Sequence, residues 1–263
     1  MKALMRRITT ITGCIVLTAC ASGFQQFYKP FVDARTIPGA QFLGSGEAPK
    51  VYSSNDLRRD IRIAKSKGYW PIGASSFNGQ LESEQAVINQ AKAVGAVLVL
   101  VNSKFAESRT ITTPLFLPNN QTTYNSGYIN GTYGSANYYG TSTTYGTTVV
   151  PLTTTQQRYD QSAVFFVKMT RKLRVGIYLV DLSPEIRAKL ERNVGAMIDV
   201  VVEDTPAFVA NVLPGDILIE INGIQVIDVR QAVELMRSVP QGKCTIKVIR
   251  NGVEKSIELQ LGA

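Results

Sequence analysis

The apolar positions of this chain fall into short periodic runs behind one uncharged, mostly apolar run, Ile8 to Leu17, interrupted by threonines. Leu57, Ile61 and Ala64 recur at helical spacing, with Ser53-Ser54-Asn55-Asp56 supplying helix caps and Gly68 placed to stop the helix. Val51 and Tyr52 start a strand before it. Residues 69–77 read as a strand, and Pro71 and Gly73 point to an edge or a bulge. Ala86, Ile88, Ala91 and Val94 give a packing face to a helix over 82–94, ended at Gly95. The run 96–101 is a buried strand, and 161–168 is a further one. After these come a strand at 175–180, a helix opened by Ser183-Pro184-Glu185, and strands at 195–202 and 217–221. Asp228 caps a helix over 229–239. A hairpin over 245–261 turns at Asn251-Gly252.

Strand, helix and strand over 69–101 predict a right-handed parallel βαβ unit. The expected fold class is α+β in two domains: a small α/β domain over 51–170, then a β-sandwich capped by helices over 172–263. Residues 20–50 mix aromatic residues with Gly and Pro, and read as a tether. Residues 110–157 interrupt the first domain and contain no charged residue. They are rich in Thr, Gly, Asn and Ser, with Tyr124, Tyr128, Tyr133, Tyr138, Tyr139 and Tyr145 spread along them. Such a composition predicts a long flexible loop or an irregular hairpin. The other reading is a Tyr- and Gly-rich surface for a partner, polysaccharide or peptidoglycan.

The stretch from Asp204 to Gly223 carries the most specific local chemistry. Thr205 is placed to cap a turn that Pro206 starts. Pro214-Gly215-Asp216 is turn chemistry, Ile217 to Ile221 is a short buried strand, and Asn222-Gly223 turns the chain again. Asn211 stands at a left-handed turn position that asparagine tolerates. Thr205-Pro206-Ala207, Pro214-Gly215-Asp216 and Ile221-Asn222-Gly223 together resemble the core of a bacterial PDZ domain, of the type appended to HtrA-like periplasmic proteases. The resemblance extends over 172–263. It implies a binding loop at Arg174-Val175-Gly176-Ile177, whose N–H groups accept a C-terminal carboxylate. It also implies a free strand edge through Tyr178 and Leu179 to Val180 that adds the ligand as an extra strand. Val229, Val233 and Met236 would form the pocket for the ligand's last residue, with Arg174 assisting the carboxylate. The competing reading makes those three apolar side chains ordinary core.

The N-terminus changes the setting of this module. Lys2, Arg6 and Arg7 precede the apolar run, which is too short to span a bilayer and has the layout of a secretory signal peptide, 1–19. Leu17-Thr18-Ala19-Cys20 resembles the lipobox of bacterial lipoproteins. That resemblance implies acylation of Cys20 and a stable membrane anchor. Ala21 in place of aspartate leans toward the outer membrane, facing the periplasm. Cys14 leaves with the signal and Cys20 is acylated, so Cys244 stands alone and reads as a buried structural thiol.

Histidine is absent, which removes Ser-His-Asp and Cys-His nucleophile pairs and histidine-ligated metal. The net charge of +8 contains no dense basic run, so nucleic acid is not an expected partner. No catalytic residue, metal site or cofactor is assigned. The expected function is non-enzymatic: a lipid-anchored envelope protein whose groove binds C-terminal or extended peptides of partner proteins, as adaptor, scaffold or quality-control sensor. The alternatives are a diverged envelope protease and a structural lipoprotein with a closed groove. Oligomeric state is left open.

Overall fold

The structure is a computed structural model and describes residues 21–33 and 36–262. The expected signal peptide over 1–19 and the expected acylation site Cys20 lie outside the described residues.

The segment expected as a tether is built into the first sheet. Ser22 caps α1 (Gly23–Gln26) by accepting the Gln25 N–H, and Phe24 is fully buried. β1 (Tyr28–Pro30) and β2 (Ala40–Gln41) follow. β3 (Lys50–Ser53) leads into α2 (Leu57–Ser66), whose cap is the Asp56 carboxylate accepting the Arg59 N–H. β4 (Tyr69–Gly79), α3 (Glu84–Val94), β5 (Leu98–Gly131) and β6 (Gly134–Met169) complete this half. The strand order is β1-β4-β6-β5-β3, with β2 on β6.

The expected βαβ unit is corrected in one respect. β4 and β5 are not neighbours, because β6 returns between them. Contacts from Ser76 to Ser162 and from Asn78 to Asp160 run in opposite senses along the two strands, so β4 and β6 are antiparallel. The adjacent parallel pair is β3 with β5, from Lys50 beside Leu98 to Ser53 beside Val101. Ala64 of α2 packs on Leu98, Leu100, Val164 and Phe166.

The uncharged segment is a regular two-stranded ribbon, not a loop. Hydroxyls of Thr110 and Thr155, Thr112 and Thr153, and Thr122 and Thr143 meet across it. Its many β-branched threonines, with Tyr, Ile and Val among them, suit a pleated surface, and that local preference wins over the lack of a core. The chain thus divides into two compact units. The ribbon, Asn102–Gln161 with Phe77–Leu81, is one; the other holds the remaining described residues.

The C-terminal third continues the larger unit. It consists of β7 (Ile177–Asp181), α4 (Pro184–Leu190), β8 (Ala196–Val201), α5 (Pro206–Val209), β9 (Ile217–Ile221), β10 (Ile224–Gln225), α6 (Val229–Ser238), β11 (Gly242–Arg250) and β12 (Val253–Leu261). The strands form one sheet in the order β12-β11-β9-β8-β7, with β10 on β9, rather than two stacked sheets. Ile198, Leu218, Ile221, Ile246 and Leu259 cover one face under Ala207, Ala232 and Met236 from α5 and α6. Ile217 and Ile219 face the other way, against Leu182 and the α4 residues Ile186 and Leu190.

The turn chemistry takes its expected forms. Asn211 has φ of 59° and Gly215 of 92°, and Asn251-Gly252 have 54° and 80°, both left-handed as a type I′ hairpin needs. Asp216 is buried and closes its own turn by accepting the Leu213 N–H at 2.9 Å. Arg250, from the tip of β11, grips both carboxylate oxygens of Asp216 at 2.7 Å and the Asn211 carbonyl at 2.8 Å. Thr205 departs from its expected role. Its hydroxyl makes no cap and instead donates to the Val202 carbonyl at 2.6 Å.

Candidate functional site

β7 is an edge strand, paired with β8 on one side only: Ile177 sits opposite Val201 and Asp181 opposite Ala196. Its outer N–H and C=O groups are therefore open to a further strand. α6 runs alongside, anchored at its start by Asp228, whose carboxylate accepts the Gln231 N–H at 2.8 Å.

The loop before β7 is pinned from behind. The Val175 carbonyl accepts from Ala207 N–H at 3.0 Å, and the Gly176 carbonyl from Val202 N–H at 2.8 Å. The N–H groups of Val175 and Gly176 have no acceptor among the described residues. Gly176 has φ of +87°, and a Cβ there would collide with the Thr205 side chain. Thr205 thus gains a role the sequence reading missed: it is the wall that holds the loop's shape. Its place beside Pro206 signals a cap in the sequence and carries no sign of this contact with Gly176.

Arg174 is placed near this loop but is engaged. Its guanidinium donates to the Arg237 carbonyl at 3.0 Å and to the Val239 carbonyl. These are C-terminal carbonyls of α6, where a cation also complements the helix dipole. Arg174 therefore ties α6 to the loop first, and any charge it offers a carboxylate comes second.

The other sequence-assigned residues separate by strand and helix face. Ile177 and Leu179 lie half-buried against the core, and so does Val229. Met236 is buried at 8% exposure and belongs to that core, while Val233 is 36% exposed and is not packed into it. Of the three α6 residues, Val233 is thus the one whose side chain is free to meet an added strand. Tyr178, being next in the alternation, points to the opposite side of the sheet. Its ring lies 5.7 Å from that of Trp70 and under Lys65 Nζ at 5.2 Å. Burial there pushes its phenol up to about 12. Tyr178 contributes backbone to the edge but no side chain to the groove. Cys244 is fully buried in the core, and burial raises its thiol pKa. A cleft of about 790 Å³ lies away from the groove, between β1 and the end of α3, lined by Tyr28, Phe31, Phe42, Lys92 and Gly95 among others.

An antiparallel sheet with a free edge strand beside a helix and a Gly-containing loop at one end has the geometry that strand addition requires. Residues 173–261 match the PDZ domain family. Among solved structures, the HtrA-type protease AlgW with a decapeptide is 24% identical, with 38% of this chain and 36% of that chain covered and a TM-score of 0.30. The HtrA3 PDZ domain bound to a phage-derived ligand is 18% identical over 34% of this chain and 83% of that one, with a TM-score of 0.30. The PDZ domain of EpsC from Vibrio cholerae is 15% identical over 35% of this chain and 100% of that one, with a TM-score of 0.26. The matched segment spans about a third of the AlgW chain's length. No curated protein matches the chain.

Proposed function

We propose that this protein binds C-terminal or extended peptides of partner proteins along the outer edge of β7, in an adaptor, scaffold or quality-control role. The observation that carries the reading is the unpaired β7 edge beside α6, ending in a loop whose Val175 and Gly176 N–H groups are free among the described residues. A peptide laid there gains main-chain hydrogen bonds from β7, its carboxylate meets the loop N–H groups, and its last apolar side chain meets Ile177 and Val233. The Cys20 motif adds the setting: a lipid anchor in a bacterial envelope, at the outer membrane facing the periplasm, with envelope proteins as partners. Nothing in the reading calls for catalysis, a cofactor, a metal or nucleic acid.

The test is calorimetric titration of the purified full chain with a peptide library ending in free apolar carboxylates, each paired with its C-terminally amidated form. Free acids are expected to bind at least tenfold more tightly than amides. Ile177→Arg is expected to abolish binding, but Ile177 also packs on the core, so it loses stability as well. Val233→Glu separates the two effects, because the exposed site tolerates the change within about 0.5 kcal/mol while a carboxylate beside the ligand's own repels it. Equal affinity of acid and amide, or of Val233→Glu and the wild type, would sink the reading.

A further inference from the structure

We propose that the β5–β6 ribbon joins copies of this chain to one another, edge to edge, through residues 119–131 and 134–148. Over 110–157 no third strand lies beside either β5 or β6 among the described residues: β3 leaves β5 at Val101, and β4 ends at Gly79. Two-stranded ribbons are marginal in water by themselves. Natural exposed edges are guarded by charges, prolines or bulges. This ribbon carries Pro114, Pro118 and Pro151 near its base, and none of the chain's 28 basic or 20 acidic residues between 110 and 157. Prolines remove edge donors where they stand, which confines pairing to the proline-free outer part. There the edges alternate Thr, Asn, Ser, Gly and Tyr, with Tyr124, Tyr139 and Tyr145 more than 80% exposed.

A second copy is the occupant that satisfies both edges. The outer edge of β6 in one copy meets the outer edge of β5 in the next, giving an antiparallel continuation without like-charge repulsion, even though the chain as a whole is +8. Such a head-to-tail junction leaves no free edge once the ring closes. Each edge offers about 40 Å of strand by about 10 Å of sheet thickness, on the order of 400 Å² per copy at each junction, which is about half of one partner's share of a standard interface; the main-chain pairing along the edge and the second junction of each copy must supply the rest. The peptide groove is not involved.

Sedimentation velocity and native mass spectrometry of the purified full chain at about 1–50 µM test this. The wild type is expected to form a discrete oligomer. A double variant, Thr123→Lys with Thr144→Lys, places like charges on facing edges and is expected to weaken assembly at least tenfold; so is Thr123→Glu with Thr144→Glu. Mixing the Lys and Glu variants is expected to restore the oligomer, which misfolded ribbons would not do. A monomeric wild type overturns the proposal, as does assembly that both variants leave unchanged. A wild type that stays monomeric but co-sediments with phosphatidylglycerol vesicles overturns it in favour of a lipid surface.

Discussion

A methyl group at position 176 would meet the Thr205 side chain, and the residue's φ of +87° lies in the left-handed region. Both effects act on one loop, whose carbonyls are held by Ala207 and Val202 and whose N–H groups face outward. Gly176→Ala is therefore expected to cost about 3 kcal/mol, from the left-handed penalty plus the collision. It is also expected to weaken binding of a free C-terminus at least tenfold, because relief of the collision turns the N–H groups away. Urea unfolding and calorimetry on one preparation separate the two losses. Thr205→Ala in the Gly176→Ala background relieves the collision alone. It should recover much of the affinity but only part of the stability, since it restores neither the glycine φ nor the Thr205 hydroxyl's bond to the Val202 carbonyl.

At the scale of elements, the turn at Pro214-Gly215-Asp216 and the β11–β12 hairpin are locked by one ion pair, Asp216 to Arg250, with side chains 2% and 15% exposed. Removing one partner strands the other. Arg250→Met is expected to cost about 3–5 kcal/mol, while Asp216→Asn with Arg250→Met together costs less than the sum of the two single changes. Thermal unfolding of the three variants measures it. Elements of this kind were legible in the sequence because their chemistry is local. The Asp56, Ser183 and Asp228 caps, the left-handed Asn211 and the Asn251-Gly252 turn depend on near neighbours and fell where the spacing put them. The β7 edge was legible for a related reason, through its loop glycine. What the sequence hid was long-range pairing. β1 lies on β4 across some forty residues, with Tyr28 opposite Ser75, and β6 returns between β4 and β5. No local signal reports either. Met236 and Val233 share a helical stripe, and only the packed core shows that one is covered and the other is not. Strand alternation already put Tyr178 opposite Ile177 and Leu179; that Trp70 covers it was not readable.

For the larger compact unit as a whole, the consequence is that β7 is covered from its far side. Arg62 of α2 pairs with Asp199 of β8 at 3.6 Å, and the Glu203 N–H donates to the Ser66 carbonyl at 2.8 Å. Trp70 and Lys65 cover Tyr178 in the middle of that contact. Trp70 is the chain's one tryptophan, so its emission reports on β7 directly. Tyr178 makes the contact pH-sensitive, and the sign is fixed by burial. Its folded pKa, about 12, lies above the ordinary 10, so the fold prefers the neutral phenol. That preference is fully present below pH 10 and is lost as pH rises from 10 through about 12. Trp70 emission is expected to fall over this window as the tyrosinate forms beside it, and the urea midpoint to fall with it. Tyr178→Phe keeps the ring and removes the proton, so its urea midpoint should lack this component of the fall. An identical pH profile in Tyr178→Phe would show that the contact does not sense the phenol. A peptide that pairs with the β7 edge at neutral pH should shift the same emission, and Val233→Glu should remove that shift while leaving the alkaline transition in place.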